Sequence, residues 1–147
     1  MHVGDLEFVS HLTPELRTFV LGKVRQIRAK RGQAILGRGG ATADVYFILE
    51  GVLSAVMYST NGREVIMRSL PVGAVFGELA AVDGLPRSAS VVAETDARVV
   101  ALRREDFMAC LETCPAAALW LARLLAGKVR DMTERIFELS ALNVQAR

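Results

Sequence analysis

Apolar positions near the start of the chain recur at helical spacing. The series comprises Leu6, Val9, Leu12, Leu16, Phe19 and Val20. Thr13 and Pro14 interrupt it, because threonine is a favoured N-cap and proline a favoured first residue of a helix. The pattern therefore predicts two short helices within residues 5–22.

From residue 23 to residue 103 the pattern changes to short apolar runs separated by glycine-containing turns. The predicted strands are Val24–Ile27, Ala34–Leu36, Val45–Leu49, Val52–Tyr58, Glu64–Leu70, Val75–Phe76, Ser90–Ala93 and Val99–Leu102. Asn61-Gly62 predicts a tight hairpin, since both central residues of a type I′ turn need positive φ. Eight short strands at regular spacing favour a jelly roll, a double-stranded β-helix also called a β-roll.

The last part of the chain, residues 104–143, has a helical pattern. Arg104–Leu111 predicts a short helix, and Pro115 opens a much longer one. The apolar positions of the long helix are Leu121, Leu125, Val129, Met132, Ile136 and Leu139. From Leu125 onward they step by four and three residues, which is the pattern of a coiled-coil seam. The helix either packs on its own roll or pairs two copies, and the continuous seam favours a homodimer.

Composition and charge are those of one globular domain over residues 1–147. The chain is 52% hydrophobic and 23% charged, and its net charge of +2 argues against a dedicated nucleic-acid surface. The N-terminus lacks a signal-peptide pattern, and the most apolar run is too short to cross a bilayer. We therefore expect a cytoplasmic protein with no membrane association.

The sequence offers no catalytic or metal constellation. His2 and His11 lie outside the predicted roll. Cys110 and Cys114 lie four residues apart, but two thiols cannot complete a zinc or iron–sulfur site. We expect reduced thiols, no metal, no cofactor and no catalytic residues, which makes the protein a binder rather than an enzyme.

Two segments, FGELA at 76–80 and PRSAS at 86–90, combine the chemistry of an anion site with that of a sugar site. Gly77 allows close approach of the backbone, and N–H groups at the start of a helix point at anions. Arg87 presents a planar fork that suits one phosphate. Glu78 would repel phosphate but accepts hydrogen bonds from a sugar hydroxyl. The pattern favours a nucleotide with a single negative charge.

These segments, with VDGL at 82–85 between them, resemble the phosphate-binding cassette of cyclic-nucleotide-binding domains. The resemblance is to bacterial transcription regulators of the cAMP receptor and fumarate–nitrate regulator type. It runs from about residue 5 to the last residue. It implies an eight-stranded β-roll with N-terminal helices and a long C-terminal dimerisation helix, and a cyclic nucleotide as the ligand, cAMP in preference to cGMP.

The resemblance also implies a role for each residue of the cassette, which we number 76–90. Arg87 would bind the phosphate, and Glu78 would bind the ribose 2′-hydroxyl. Backbone N–H groups, with one hydroxyl, would complete the phosphate site at Gly77, Leu79, Ala80, Ser88 and Ala89. Alternatives remain: Glu78 also suits a helix N-terminus through the helix dipole, and Ser88 also suits a turn.

The base contacts implied by the resemblance are Ala55 and Met67 on the roll and Met132 and Thr133 on the long helix. Relatives often carry two hydroxyl residues at the last pair, and Met132 replaces one of them. In eukaryotic relatives a hydroxyl residue after the cassette arginine, here Ser88, favours cGMP. A cGMP-preferring or dual sensor therefore stays open beside a cAMP sensor.

The final segment, residues 142–147, resembles the hinge before the winged helix-turn-helix domain of the cAMP receptor regulators. No such domain follows in this sequence, so we expect DNA as a partner only of an intact protein that carries one. Two alternatives remain, a regulatory cyclic-nucleotide module of a kinase or channel and a degenerate β-roll that binds another small acid.

Overall fold

The computed structural model describes residues 1–145, without the side chains of Met67, Val144 and Gln145. Ala146 and Arg147, which belong to the predicted hinge, lie outside the described residues. In chain order the elements are a 3₁₀ turn (Val3–Asp5), α1 (Glu7–Ser10), α2 (Pro14–Lys23), β1 (Arg25–Ala29), β2 (Ala34–Leu36), β3 (Val45–Glu50), β4 (Leu53–Tyr58), β5 (Glu64–Leu70), β6 (Val75–Phe76), α3 (Glu78–Asp83), β7 (Ser90–Ala93), β8 (Ala97–Leu102), α4 (Arg104–Thr113) and α5 (Pro115–Gln145). The predicted order of helices, strands and helices is confirmed.

A side-chain cap sets the start of α2. The backbone N–H of Leu16 donates to Thr13 Oγ1 at 3.3 Å, and Pro14 is the first residue of the helix. Proline is favoured there because an N–H group at the first position of a helix would have no acceptor within the helix, so its absence costs nothing. The predicted break between two N-terminal helices is therefore confirmed.

The strands form two four-stranded antiparallel sheets. One sheet has the order β1-β8-β3-β6 and the other the order β2-β7-β4-β5. Only β4 and β5 are neighbours in both sequence and space, so the chain crosses repeatedly between the sheets. This is the predicted jelly roll, with strand ends that differ from the prediction by one or two residues at β1, β3, β4 and β8.

The hairpin between β4 and β5 is confirmed, but its predicted type I′ turn is wrong. The loop spans residues 59–63, and the N–H of Ser59 donates to the carbonyl of Arg63 at 2.8 Å. Gly62 has a φ of 80°, whereas Asn61 is not among the positive-φ residues. The hydroxyl of Ser59 bonds the side chain of Asn61 and the N–H of Arg63, which stabilises the wider loop.

Strand β3 separates two apolar cores because the segment Val45–Leu49 is apolar at every position. Two of its side chains face the core between the sheets, and three pack against the helices. On the helical side the ring of Phe8 lies 5.4 Å from Phe47, 5.3 Å from Phe107 and 5.2 Å from Trp120, measured between centroids. This cluster fixes α1, α4 and the start of α5 against the roll.

Helix α5 leaves the domain partway along its length. Trp120 and Leu121 are buried, whereas every described side chain in residues 129–143, which we call the exposed half of α5, is exposed. Its large apolar side chains are 60–73% exposed and comprise Val129, Met132, Ile136, Phe137, Leu139 and Leu142. The interpretation in which the whole helix packs on its own roll is therefore wrong for this half.

None of the described helices is by itself long and apolar enough to cross a membrane. Helix α4 and α5 through Asn143 meet the criterion of length and composition only as a pair bent by 110°.

Candidate functional site

The cassette lies where the chain turns from β6 into α3. Gly77 caps the helix with a φ of 82° and a ψ of 1°. A Cβ atom at this position would lie 2.7 Å from Nη1 of Arg87 and 2.8 Å from the carbonyl oxygen of Asp44. Glycine is required here both for the left-handed conformation and for space, because the arginine packs directly on this backbone.

Arg87 is buried, with 4% of its surface exposed, and backbone carbonyls orient its guanidinium. Nη1 donates to the carbonyl of Gly77 at 3.0 Å, and Nη2 donates to that of Asp44 at 2.9 Å and to Thr42 Oγ1 at 3.4 Å. The backbone of Arg87 also exchanges hydrogen bonds with residues 39–40. Within the described residues the buried Nε has no hydrogen-bond partner, so this donor is left unsatisfied.

The electrostatic surroundings leave this arginine charged. Burial lowers the pKa of the Arg87 guanidinium, while Tyr46, Asp44 and Glu78 oppose that effect. The ordinary pKa of an arginine side chain lies so far above neutral pH that the group keeps its charge. The Cζ atom of Arg87 also lies 5.9 Å from the centroid of the Tyr46 ring, within the range of a cation–π contact.

Glu78 is the first residue of α3 and is only 2% exposed. Its carboxylate forms an ion pair with the ammonium of Lys128, which comes from α5. Lys128 is the last residue before the exposed half of α5. Lys128 was not among the predicted site residues, although it lies one helical turn before Met132 and so on the same face of the helix.

A cavity of about 120 Å³ joins these residues. Its larger buried apolar side chains are those of Leu36, Leu70, Val75, Phe76 and Val91. Its charged lining consists of Glu78, Arg87, Lys128 and Arg68, which gives three cations and one carboxylate. This excess of positive charge suits an anion. The cavity is open to solvent on one side and is smaller than the roughly 300 Å³ at which common ligand pockets begin.

The cavity gathers most of the predicted site residues. Gly77, Glu78, Leu79, Ala80, Arg87, Ser88, Ala89 and Ala55 all line it. The structure does not bring Met132 or Thr133 to this lining, because α5 has left the roll at that point. The hydroxyl of Thr133 instead donates to the carbonyl of Val129 at 2.8 Å. The side chain of Met67 lies outside the described residues. Its neighbour Arg68 lines the cavity and, like Lys128, was not predicted as a site residue.

The predicted seam divides into two parts. Leu121 is buried within its own protomer, and Leu125 packs partly against the same core. These two residues therefore serve the fold of one protomer. The seam positions that remain exposed are Val129, Met132, Ile136 and Leu139.

A comparison with protein families decides how this site is interpreted. The model of the cyclic nucleotide-binding domain matches residues 26–114, more than half of the chain. The chain belongs to the cyclic nucleotide-binding domain family. The match includes the whole cassette and all of the strands except the first residue of β1, which confirms the predicted family.

Individual relatives agree with the family assignment. The Cyclic AMP receptor protein of Thermus thermophilus is 32% identical over 120 residues, which cover 82% of this chain and 56% of that protein. The cAMP-dependent protein kinase regulatory subunit of Aspergillus niger is 35% identical over 104 residues, which cover 70% of this chain and 24% of that protein. The crystal structure of the Thermus thermophilus Catabolite Activator Protein superimposes with a TM-score of 0.77 at 30% identity, covering 91% of this chain and 63% of that one. This domain thus spans little more than half of its Thermus relative.

Proposed function

We propose that this cyclic nucleotide-binding domain binds cAMP and acts as the ligand sensor of a dimeric transcription regulator. The observation that carries the proposal is that two buried charged residues, Arg87 and Glu78, line the same cavity. In this interpretation Arg87 binds the cyclic phosphate and Glu78 binds the ribose 2′-hydroxyl. The names of the Thermus and Aspergillus relatives, both of which refer to cAMP, support this ligand.

Several hydrogen-bond donors of the cassette are candidates to bind the phosphate. The Nε of Arg87 has no partner among the described residues. The first N–H groups of α3 have no acceptor within the helix, as in any helix, and Leu79 and Ala80 line the cavity. Ser88 and Ala89 line it from the other side of the cassette. A phosphate with one negative charge would meet a fixed cation and several neutral donors.

The ion pair between Glu78 and Lys128 links the ligand to α5. A ribose hydroxyl that reaches Glu78 would bind the same carboxylate that Lys128 already contacts through Oε1. Ligand binding therefore changes the restraint on α5 at the point where its exposed half begins. A helix that both the ligand and a partner bias is the element through which a sensor shifts between two states.

The exposed half of α5 supports the homodimer. Its apolar side chains have no cover within the protomer, and the positions Val129, Met132, Ile136 and Leu139 keep the four–three spacing of a coiled coil. A second copy with the same seam covers them. We expect DNA to be a partner of an intact regulator in the cytoplasm. The kinase regulatory module remains the second candidate, since the Aspergillus relative is 35% identical.

Calorimetric titration with cAMP and 2′-deoxy-cAMP tests the role of Glu78. The wild-type domain is expected to bind cAMP at least about tenfold more tightly than the deoxy analogue, because a hydrogen bond to a charged group is lost. Glu78→Gln should reduce this preference to about threefold or less. The control is Glu64→Gln, which removes an exposed carboxylate outside the cavity. An unchanged preference in Glu78→Gln would contradict the ribose role.

A further inference from the structure

A second cavity lies between α1 and the first part of α5. Its volume is about 430 Å³, compared with about 120 Å³ for the cavity at the cassette, and the two cavities share no lining residue. Small-molecule sites in proteins typically measure about 300–1,000 Å³, so this cavity has the size of one. We call it the α1–α5 cavity. Its polar lining residues are Glu7, His11 and Arg123, and its apolar ones are Ala116, Leu119, Trp120 and Leu124.

One face of α5 forms a wall of the α1–α5 cavity. Ala116, Trp120 and Leu124 are four residues apart and therefore lie along one side of the helix, and Leu119 and Arg123 flank them at the same spacing. Trp120 is buried, whereas Leu119 is 50% exposed and lies outside the predicted seam. All five residues precede the exposed half of α5, so this cavity is distinct from the proposed dimer surface.

Two contacts hold the α1 wall in place. The ring of Phe8 lies 5.2 Å from the ring of Trp120, measured between centroids, and so fixes α1 against α5. The thiol of Cys114 donates to the carbonyl of His11 at 3.2 Å, directly after the last residue of α1. The walls of the cavity are therefore held by the fold itself and do not depend on a ligand.

The polar groups of the cavity are divided between its two walls. On the α1 side, the carboxylate of Glu7 lies 3.9 Å from Nε2 of His11. On α5, Arg123 has no hydrogen-bond or ion-pair partner within residues 1–145. Its guanidinium is therefore available to a ligand, and the planar fork of a guanidinium matches a carboxylate.

The rest of the lining selects an apolar group. Trp120, Leu119 and Leu124 present an aromatic ring and two branched aliphatic side chains on the same side of α5 as Arg123. An apolar group that covers them removes their surface from water, which is favourable. We propose that the α1–α5 cavity is a second ligand site, which binds a small organic carboxylate with an apolar body. Arg123 binds the carboxylate, and Trp120 packs against the apolar body.

Intrinsic fluorescence tests this proposal, because Trp120 is the only tryptophan of the chain. Titration with 4-phenylbutyrate and with octanoate should change its emission saturably, and the acid that binds more tightly identifies an aromatic or an aliphatic body. The alcohol 4-phenylbutanol has the apolar body of the first acid without its charge. Its affinity should be lower by about tenfold or more, because charge-assisted hydrogen bonds to Arg123 are lost. No saturable change with either acid, or equal affinity for acid and alcohol, would overturn the proposal.

Three variants locate the site, each verified as folded by circular dichroism. Arg123→Gln should lower the affinity for both acids by about tenfold and change that for the alcohol by less than about threefold. Arg130→Gln removes an exposed arginine of α5 outside the cavity and should change neither affinity. Ala116→Phe places a large side chain in the cavity and should weaken acids and alcohol alike. Undiminished binding of the acids by folded Arg123→Gln would overturn the role of Arg123.

Competition with cAMP separates this site from the cassette. The two cavities share no lining residue, so excess cAMP should not displace 4-phenylbutyrate. Displacement by cAMP would place the acid in the cassette cavity and overturn the second site. A folded domain that binds the acid at Trp120 but does not bind cAMP would support the second site and overturn the proposed function alone.

Discussion

Replacing Gly77 by alanine should damage both the fold and the binding site, whereas replacing Gly84 should damage only the fold, and less. The two glycines flank α3, and both have positive φ, 82° and 71°. A Cβ at residue 77 would lie 2.7 Å from Nη1 of Arg87 and 2.8 Å from the carbonyl of Asp44. A Cβ at residue 84 would have no atom within 4 Å.

The expected magnitudes follow from these two environments. A non-glycine residue in the left-handed conformation costs about 1–2 kcal/mol of stability, and this applies to both positions. The overlap at residue 77 adds about 1–3 kcal/mol, the range for overpacked sites, because one of the atoms in the way is backbone. We therefore expect losses of about 1–2 kcal/mol for Gly84→Ala and about 2–5 kcal/mol for Gly77→Ala.

Urea denaturation measures the loss of stability, and calorimetric titration with cAMP measures the effect on the site. Gly77→Ala should lower the affinity for cAMP by about tenfold or more, because the Arg87 guanidinium must move away from the Gly77 carbonyl. Gly84→Ala should bind cAMP as wild type does. Equal losses of stability in the two variants, with unchanged affinity in both, would refute the reasoning.

Three further predictions follow from single contacts. Lys128→Met should lower the free energy of unfolding, measured by urea denaturation, by about 3 kcal/mol, because Glu78 stays buried without its partner. The double variant with Glu78→Gln should regain part of this stability, because the unpaired charge is removed. Ile136→Glu should convert the proposed homodimer to a monomer in sedimentation equilibrium, whereas Ala141→Glu, on the opposite side of the helix from the seam, should leave it dimeric. A wild-type monomer, or a dimer in both variants, would contradict the role of the seam. Burial raises the pKa of the Cys110 thiol from 9.0 to about 11, so its neutral form adds stability below pH 9 that is lost as pH rises to about 11. The free energy of unfolding of Cys110→Ala should lack this part of the pH dependence, which amounts to about 2 kcal/mol. Identical pH profiles of the free energy of unfolding for wild type and Cys110→Ala would contradict this prediction.

Local signals account for the parts of the fold that could be predicted. Apolar runs with β-branched residues gave the eight strands, and Thr13 with Pro14 gave the start of α2, because these preferences act within a few residues. The turn after Tyr58 was predicted wrongly because the Ser59 hydroxyl stabilises a wider loop than Asn61-Gly62 alone would form.

Contacts between distant segments account for what was missed at the site. Glu78 and Arg87 lie close together in sequence, so their chemistry suggested their roles. Lys128 reaches Glu78 from a helix 50 residues later, and Arg68 arrives on a different strand. Periodicity alone also could not show that Leu121 belongs to the core of its own protomer, since a buried stripe and a dimer seam have the same spacing.

The most direct test of the account is calorimetric titration of nucleotide-free protein with cAMP and with cGMP, repeated on Arg87→Ala and Arg87→Lys. Circular dichroism of each variant verifies that it is folded. The account predicts saturable binding to wild type, and its loss in Arg87→Ala, with partial retention in Arg87→Lys, which keeps the charge but not the fork. Absence of heat with either nucleotide from folded wild type, or undiminished binding by folded Arg87→Ala, would contradict it.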